Sequence, residues 1–162
     1  MEDDNEVKEF LERINEQLPD GIKFVKGQEI DPKTPSLSSI IVYGEYIFNI
    51  DLEVPLSKEF VKSRVLNFVK SKEIIITKKN KKGKKVEVDI RPMIRNFDLV
   101  SLDDNRVTFV STIATGSKAN LNINILIPQI LGMLNLDMDP REVGVLRRDL
   151  YKVEDGQLVT PL

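Results

Sequence analysis

The 162-residue chain has no cysteine and no histidine. Without cysteine it can form no disulfide, offer no thiolate nucleophile and ligate no iron-sulfur cluster. Without histidine it lacks the usual general base near neutral pH and the commonest zinc ligand. Thiol, imidazole, zinc and iron-sulfur chemistry therefore lie outside its own repertoire. Long apolar runs are also missing. The longest, Ile123 to Met133, is broken by Asn124, Pro128, Gln129 and Gly132 and falls short of the about 20 residues that span a bilayer. No membrane helix is expected. The start, Met1 to Glu6, is acidic where a secretory signal opens with basic residues. With cysteine absent as well, the expected location is cytoplasmic.

What the chain does have is the balance of a packed protein: 41% hydrophobic and 31% charged residues. Its length suits one domain or a tight pair of half-domains, burying about two-thirds of the unfolded surface with no disulfide or metal staple. The net charge of -2 conceals an asymmetry along the chain. Residues 1–60 carry 14 acidic and 6 basic side chains, and residues 61–120 carry 6 acidic and 14 basic. A swing from -8 to +8 between adjacent thirds predicts one face that attracts polyanions and another that repels them.

Val7, Phe10, Leu11, Ile14 and Leu18 recur at helical spacing and predict a helix over 5–18, stopped by Pro19-Asp20-Gly21. Residues 22–30 read as a strand, and 31–35 as a proline-rich loop. Residues 38–54, rich in Ile, Val, Tyr and Phe, predict a long strand with Gly44 a candidate bulge. Ser57 is a candidate N-cap for a helix to Lys70. Strand 73–77, a lysine-rich turn at Gly83 and the alternating Val86, Val88 and Ile90 predict a hairpin. Strands near 97–102 and 106–114, a helix over 119–134 containing Pro128, and a strand over 143–153 complete the set.

Strand 38–54, helix 57–70, strand 73–77, strand 106–114, helix 119–134 and strand 143–153 give the order β-α-β-β-α-β once the arm's continuation, 86–102, is set aside. The expected fold is therefore α+β: a ferredoxin-like unit over 36–162 with an inserted basic hairpin arm at about 73–102. Residues 1–35 are left as an orphan helix-strand pair, the remnant of a preceding half-domain. Its unpaired strand edge offers a route to self-association.

The strongest local signal is six lysines within eight residues: Lys78, Lys79, Lys81, Lys82, Lys84 and Lys85. Two accounts fit them. They contact the phosphates of RNA or DNA, salt-sensitively and with little sequence preference, or they form a solvated tip that guards an edge strand. Arg91 and Arg95 would extend the basic face. Phe97 and Phe109, on the strands after the arm, read as core rather than as stacking platforms, which leaves backbone or shape recognition of RNA. Asp89 and Arg91 fall on one face of a strand and read as a salt bridge anchoring the arm. Gly116, Ser117 and Lys118 before a helix would either hold an anion or cap the helix. Asp137, Asp139 and Glu142 lack the glycine turn of a calcium loop and read as acids near a helix end. No catalytic or metal constellation emerges.

The stretches Leu18-Pro19-Asp20-Gly21-Ile22, Pro35-Ser36-Leu37-Ser38 with Glu45-Tyr46, Lys82 to Ile94, Arg147-Arg148-Asp149-Leu150-Tyr151 and Asp155-Gly156-Gln157-Leu158-Val159 extend over nearly the whole chain. In them the chain resembles the radical-SAM-linked family, a domain of unknown function encoded beside, or fused to, a cobalamin-binding radical-SAM protein. The lysine-Gly arm leading into Val88-Asp89-Ile90-Arg91-Pro92 is its most distinctive part. The resemblance implies a radical-SAM partner that would hold the iron-sulfur cluster, S-adenosylmethionine and cobalamin, with no cofactor in this chain. Family members also look as though they carry an N-terminal helix and a Gly-Phe-Asn-Pro-His-Pro-like loop absent here, the mark of a shortened chain or of a version without that half. The leading expectation is a non-catalytic accessory or substrate-presenting domain acting with that enzyme, on RNA. The alternatives are a stand-alone RNA-binding module and, more weakly, an enzyme using carboxylates and lysines.

Overall fold

A computed structural model describes residues 3–79 and 82–161, so Lys81 lies outside the described residues. The chain divides into two compact units, Met1–Pro35 and Ser36–Leu162.

In the first unit, helix α1 (Asp3–Asn15) half-buries Val7, Leu11 and Ile14, and Gly21 turns the chain at φ +88°. Residues 22–30 then form no strand, contrary to the sequence reading. The Asn15 amide donates to the Phe24 carbonyl at 3.0 Å and accepts from its N–H at 2.8 Å. One side chain thus imitates a single rung of a ladder. A strand needs a neighbouring backbone to continue it, and this segment lies along a helix instead. Gly27 makes the close crossing, since a Cβ there would stand 3.4 Å from both Leu11 and Val7.

The second unit is α+β. Its five-stranded sheet contains β1 (Tyr43–Asp51), β4 (Ile94–Asp103), β5 (Arg106–Ala114), β6 (Gly144–Glu154) and β7 (Gln157–Val159), in the order β4-β5-β1-β6-β7 with every neighbouring pair antiparallel. Strand β1 alternates strictly: Gly44, Tyr46, Phe48 and Ile50 are buried, while Tyr43, Glu45, Ile47 and Asn49 face the other way. The buried face packs under α3 (Lys58–Lys70) and α4 (Ile123–Leu134) in one core with Val61, Phe97, Val107, Phe109, Leu126 and Ile130. The long strand expected over 38–54 is shorter at both ends. A single helical turn, α2 (Leu37–Ile40), occupies its start, and Pro55 follows its end.

Two further corrections concern topology. Strands β2 (Ile75–Lys79) and β3 (Lys85–Asp89) form a two-stranded sheet of their own, so 73–77 is not a member of the main sheet. That place belongs to β4, which the sequence reading had set aside with the arm. The reason lies in the side chains. β4 brings Ile94, Phe97, Leu99 and Leu102 to the core, whereas among the described side chains of β2 only Ile76 is buried and the strand runs on into lysines. At the other end, β6 continues into a hairpin with β7 through Asp155 (φ 49°) and Gly156 (φ 77°), left-handed at both turn positions as a type I′ turn requires.

Helix starts follow the capping chemistry. Ser57 accepts from the Phe60 N–H at 3.2 Å, and Asn122 accepts from the Asn124 N–H at 2.9 Å. Helix α4 accommodates Pro128 and ends on left-handed Asn135, with the Leu136 N–H reaching back to the Leu131 carbonyl. Ser57→Ala is expected to cost about 1 kcal/mol, the usual loss for an N-cap hydroxyl, measured as a lowered urea midpoint at unchanged slope.

Candidate nucleic-acid interface

The arm's register runs from Ile75↔Asp89 to Lys79↔Lys85, which pairs the basic tip across the ladder. Alternation puts Lys78 on the face of Ile76 and Lys85 on the opposite one, so the lysines spread around the tip. Lys78, Lys82, Lys84 and Lys85 are exposed, and Gly83 turns the chain at φ +75°. The base is fixed. Ile76 and Ile90 are buried in the core, and the Asp89 carboxylate accepts the backbone N–H groups of Ile74 (2.8 Å) and Arg91 (2.9 Å).

Arg91 is committed elsewhere than the sequence reading placed it. Its guanidinium donates to the Ile94 carbonyl at 2.7 Å and the Val69 carbonyl at 2.8 Å. The second bond satisfies one of the carbonyls left open in the last turn of α3. Asp89 and Arg91 both anchor the arm, each through backbone groups and not as an ion pair with each other. Arg95 is exposed; its guanidinium lies 5.3 Å from the Tyr43 ring centroid and donates to the Gly156 carbonyl at 3.0 Å.

Gly116, Ser117 and Lys118 do not stand at a helix start. They form a loop closed by a bridge between Thr115 and Asn120, and α4 begins only at Ile123 with Asn122 as its cap. Gly116 has a packing reason: a Cβ there would meet the Ile41 carbonyl oxygen at 2.6 Å. Asp139 is likewise occupied. It caps the short turn Pro140–Glu142 and pairs with Arg141, whose guanidinium and backbone N–H hold the carboxyl below the usual aspartate range. Such a carboxylate stabilises the fold above its unfolded range, and that stabilisation fades as pH falls through the folded one. A cavity of about 410 Å³ at the ends of β1 and α4 gathers Asp51, Glu53, Asp137 and Glu142. Among the described residues no acidic group has the arrangement to hold a metal ion.

The sheet face away from the helices carries a cluster that local sequence patterns do not mark as a site. Tyr43 on β1 pairs in register with Tyr151 on β6, and Glu45 with Asp149. The register then slips so that Tyr46 opposes Arg147, leaving Arg148 as the extra residue of a bulge. Its guanidinium reaches the Glu45 Oε1 at 2.5 Å. That oxygen is buried and has no well-aligned hydrogen bond, so the contact is an ion pair. Burial, and then the charges of Glu45 and Asp149, push the Tyr151 hydroxyl above its ordinary range, while Arg148 pulls the other way. The expected bulge was at Gly44, one residue from the slip and on the wrong strand. The Glu45-Tyr46 and Arg148-Asp149-Leu150-Tyr151 stretches were the available signal, but only cross-strand pairing shows that they meet.

The fold and the arm define a class: an α+β domain with a clamped, lysine-tipped hairpin standing outside its sheet. The chain belongs to the family described as "Uncharacterized protein conserved in bacteria (DUF2344)", whose model matches residues 1–123. The match takes in the arm and β1 to β5 and ends where α4 begins. No curated protein and no solved structure matches the chain.

Proposed function

We propose that this chain is a non-catalytic accessory domain that presents RNA to a radical-SAM enzyme in the cytoplasm, with the lysine arm as its phosphate contact. The observation that carries the RNA reading is the arm itself, a separate two-stranded sheet with Lys82, Lys84 and Lys85 exposed at its tip and its base tied to the core. A fixed base supports this because orienting the charges beforehand lowers the entropy lost on binding. The enzyme partner rests on the family resemblance; it would supply the iron-sulfur cluster, S-adenosylmethionine and cobalamin. We read the second unit as a ferredoxin-like β1-α3-β4-β5-α4-β6 arrangement with the arm inserted before β4. The order β4-β5-β1-β6, antiparallel throughout, supports that reading.

Filter binding to transfer and ribosomal RNA at two salt concentrations tests the arm. Replacing Lys82, Lys84 and Lys85 together by alanine is expected to weaken binding and to lower the salt slope by about 2, at about 0.7 per lost single-strand phosphate contact. Unchanged affinity in the triple variant sinks the RNA reading. Co-purification with a radical-SAM protein tests the partner, and its absence alongside retained RNA binding would leave a stand-alone RNA-binding module.

A further inference from the structure

The sheet face opposite the helices brings together groups that the arm does not use. Tyr43 and Tyr151 are half-buried and adjacent across β1 and β6. Over Tyr43 stands the Arg95 guanidinium, which extends from β4 and is held by the Gly156 carbonyl in the β6–β7 turn. That bond links β4, at one end of the sheet order, to the β6–β7 turn at the other. Beside the tyrosines, Glu45 is 12% exposed and holds Arg148, whose place at the bulge turns it away from the core side that strict alternation would give it.

From this geometry we infer a base-stacking platform for single-stranded RNA, built from Tyr43, Tyr151 and Arg95, with Arg148 oriented by Glu45 toward the edge or phosphate of the stacked nucleotide. The inference rests on the RNA reading above and deepens it: lysines at the arm would track the backbone while this face selects unpaired nucleotides. Unpaired bases stack on aromatic rings and on arginine guanidinium planes, and duplexes hide those faces. An arginine already held over a tyrosine offers such a plane without further ordering. Ring stacking itself neutralises no phosphate, so it adds little to the salt dependence of binding, in contrast to the arm. Tyr151 stays a neutral phenol at physiological pH and remains able to donate a hydrogen bond.

The test uses the full chain, a fluorescent 12-nucleotide single strand and a duplex of the same length. Tyr43→Leu keeps apolar bulk but removes the ring. It is expected to weaken the single strand by about tenfold, within the range for loss of one base-aromatic stack, with the duplex affinity and the salt slope unchanged. Arg95→Ala changes an exposed side chain and should weaken the single strand in the same selective way, which keeps the test decisive should Tyr43→Leu fail to fold. The Lys82, Lys84 and Lys85 triple variant is expected to weaken both probes. If that variant loses both while Tyr43→Leu and Arg95→Ala bind the single strand as the parent does, the platform is overturned and the arm reading stands. If the unmodified chain binds neither probe, both fall together.

Discussion

Phe109→Ala is expected to lower the stability of the second unit by about 3–5 kcal/mol, the range for truncating a fully buried phenylalanine. The ring is 0% exposed, pairs across the ladder with Phe48, and stacks on Phe97 with centroids 5.1 Å apart. Phe97 in turn lies 4.9 Å from Phe68 of α3, so this stack couples the two centre strands to β4 and to a helix. Removing the Phe109 ring forfeits its transfer free energy and leaves a void that Phe97 cannot fill without leaving its rotamer. Since a domain of this size holds about 5–15 kcal/mol in total, the variant should unfold at a much lower urea concentration. A shift of less than about 1 kcal/mol would mean that the core is not packed as described.

Gly116→Ala is expected to cost about 3 kcal/mol, near the upper end for inserting a methyl where there is no room. Its Cβ would lie 2.6 Å from the Ile41 oxygen and 3.2 Å from the Val42 Cα, both backbone atoms. Neither can retreat easily. The Ile41 N–H is bonded to Leu37, the Val42 N–H to Tyr151, and the Thr115 N–H to the Val42 carbonyl. Gly132→Ala provides the control, because a Cβ there meets nothing within 4 Å and sits inside a helix, where alanine is favoured. Thermal melts should separate the pair, with one midpoint falling and the other level or higher.

These two sites also mark how far the residues alone carry the fold. Helix α3 with its Ser57 cap, the lysine hairpin and strand 106–114 were legible because periodicity, capping and turn chemistry are local. The membership of the main sheet was not. Residues 73–77 and 94–103 are both β-rich, and the choice between them depended on which could bring several large apolar side chains to one face. The Asp155-Gly156 hairpin was missed although its dipeptide signals a type I′ turn. Segment 22–30 has strand composition but lies against a helix, which no local pattern reports. For the candidate site, exposure of the lysines followed from composition, whereas the use of Arg91 as a clamp on α3 and the meeting of Glu45 with Arg148 depend on residues 22 and 103 positions apart in the chain.

The arm's separate ladder has a consequence for how relatives of this chain can differ in length. Its hydrogen bonds do not enter the five-stranded sheet, and among the described side chains of the ladder only Ile76 is buried. Insertions at the tip therefore leave the core untouched. Strand alternation still imposes arithmetic, because changes between Ile76 and the base must come in steps of two residues to keep Ile76 turned inward. Growth beyond Lys78 is under no such rule. The hairpin can thus act as a ruler whose reach is set by adding rungs at its far end, independently of the domain that carries it.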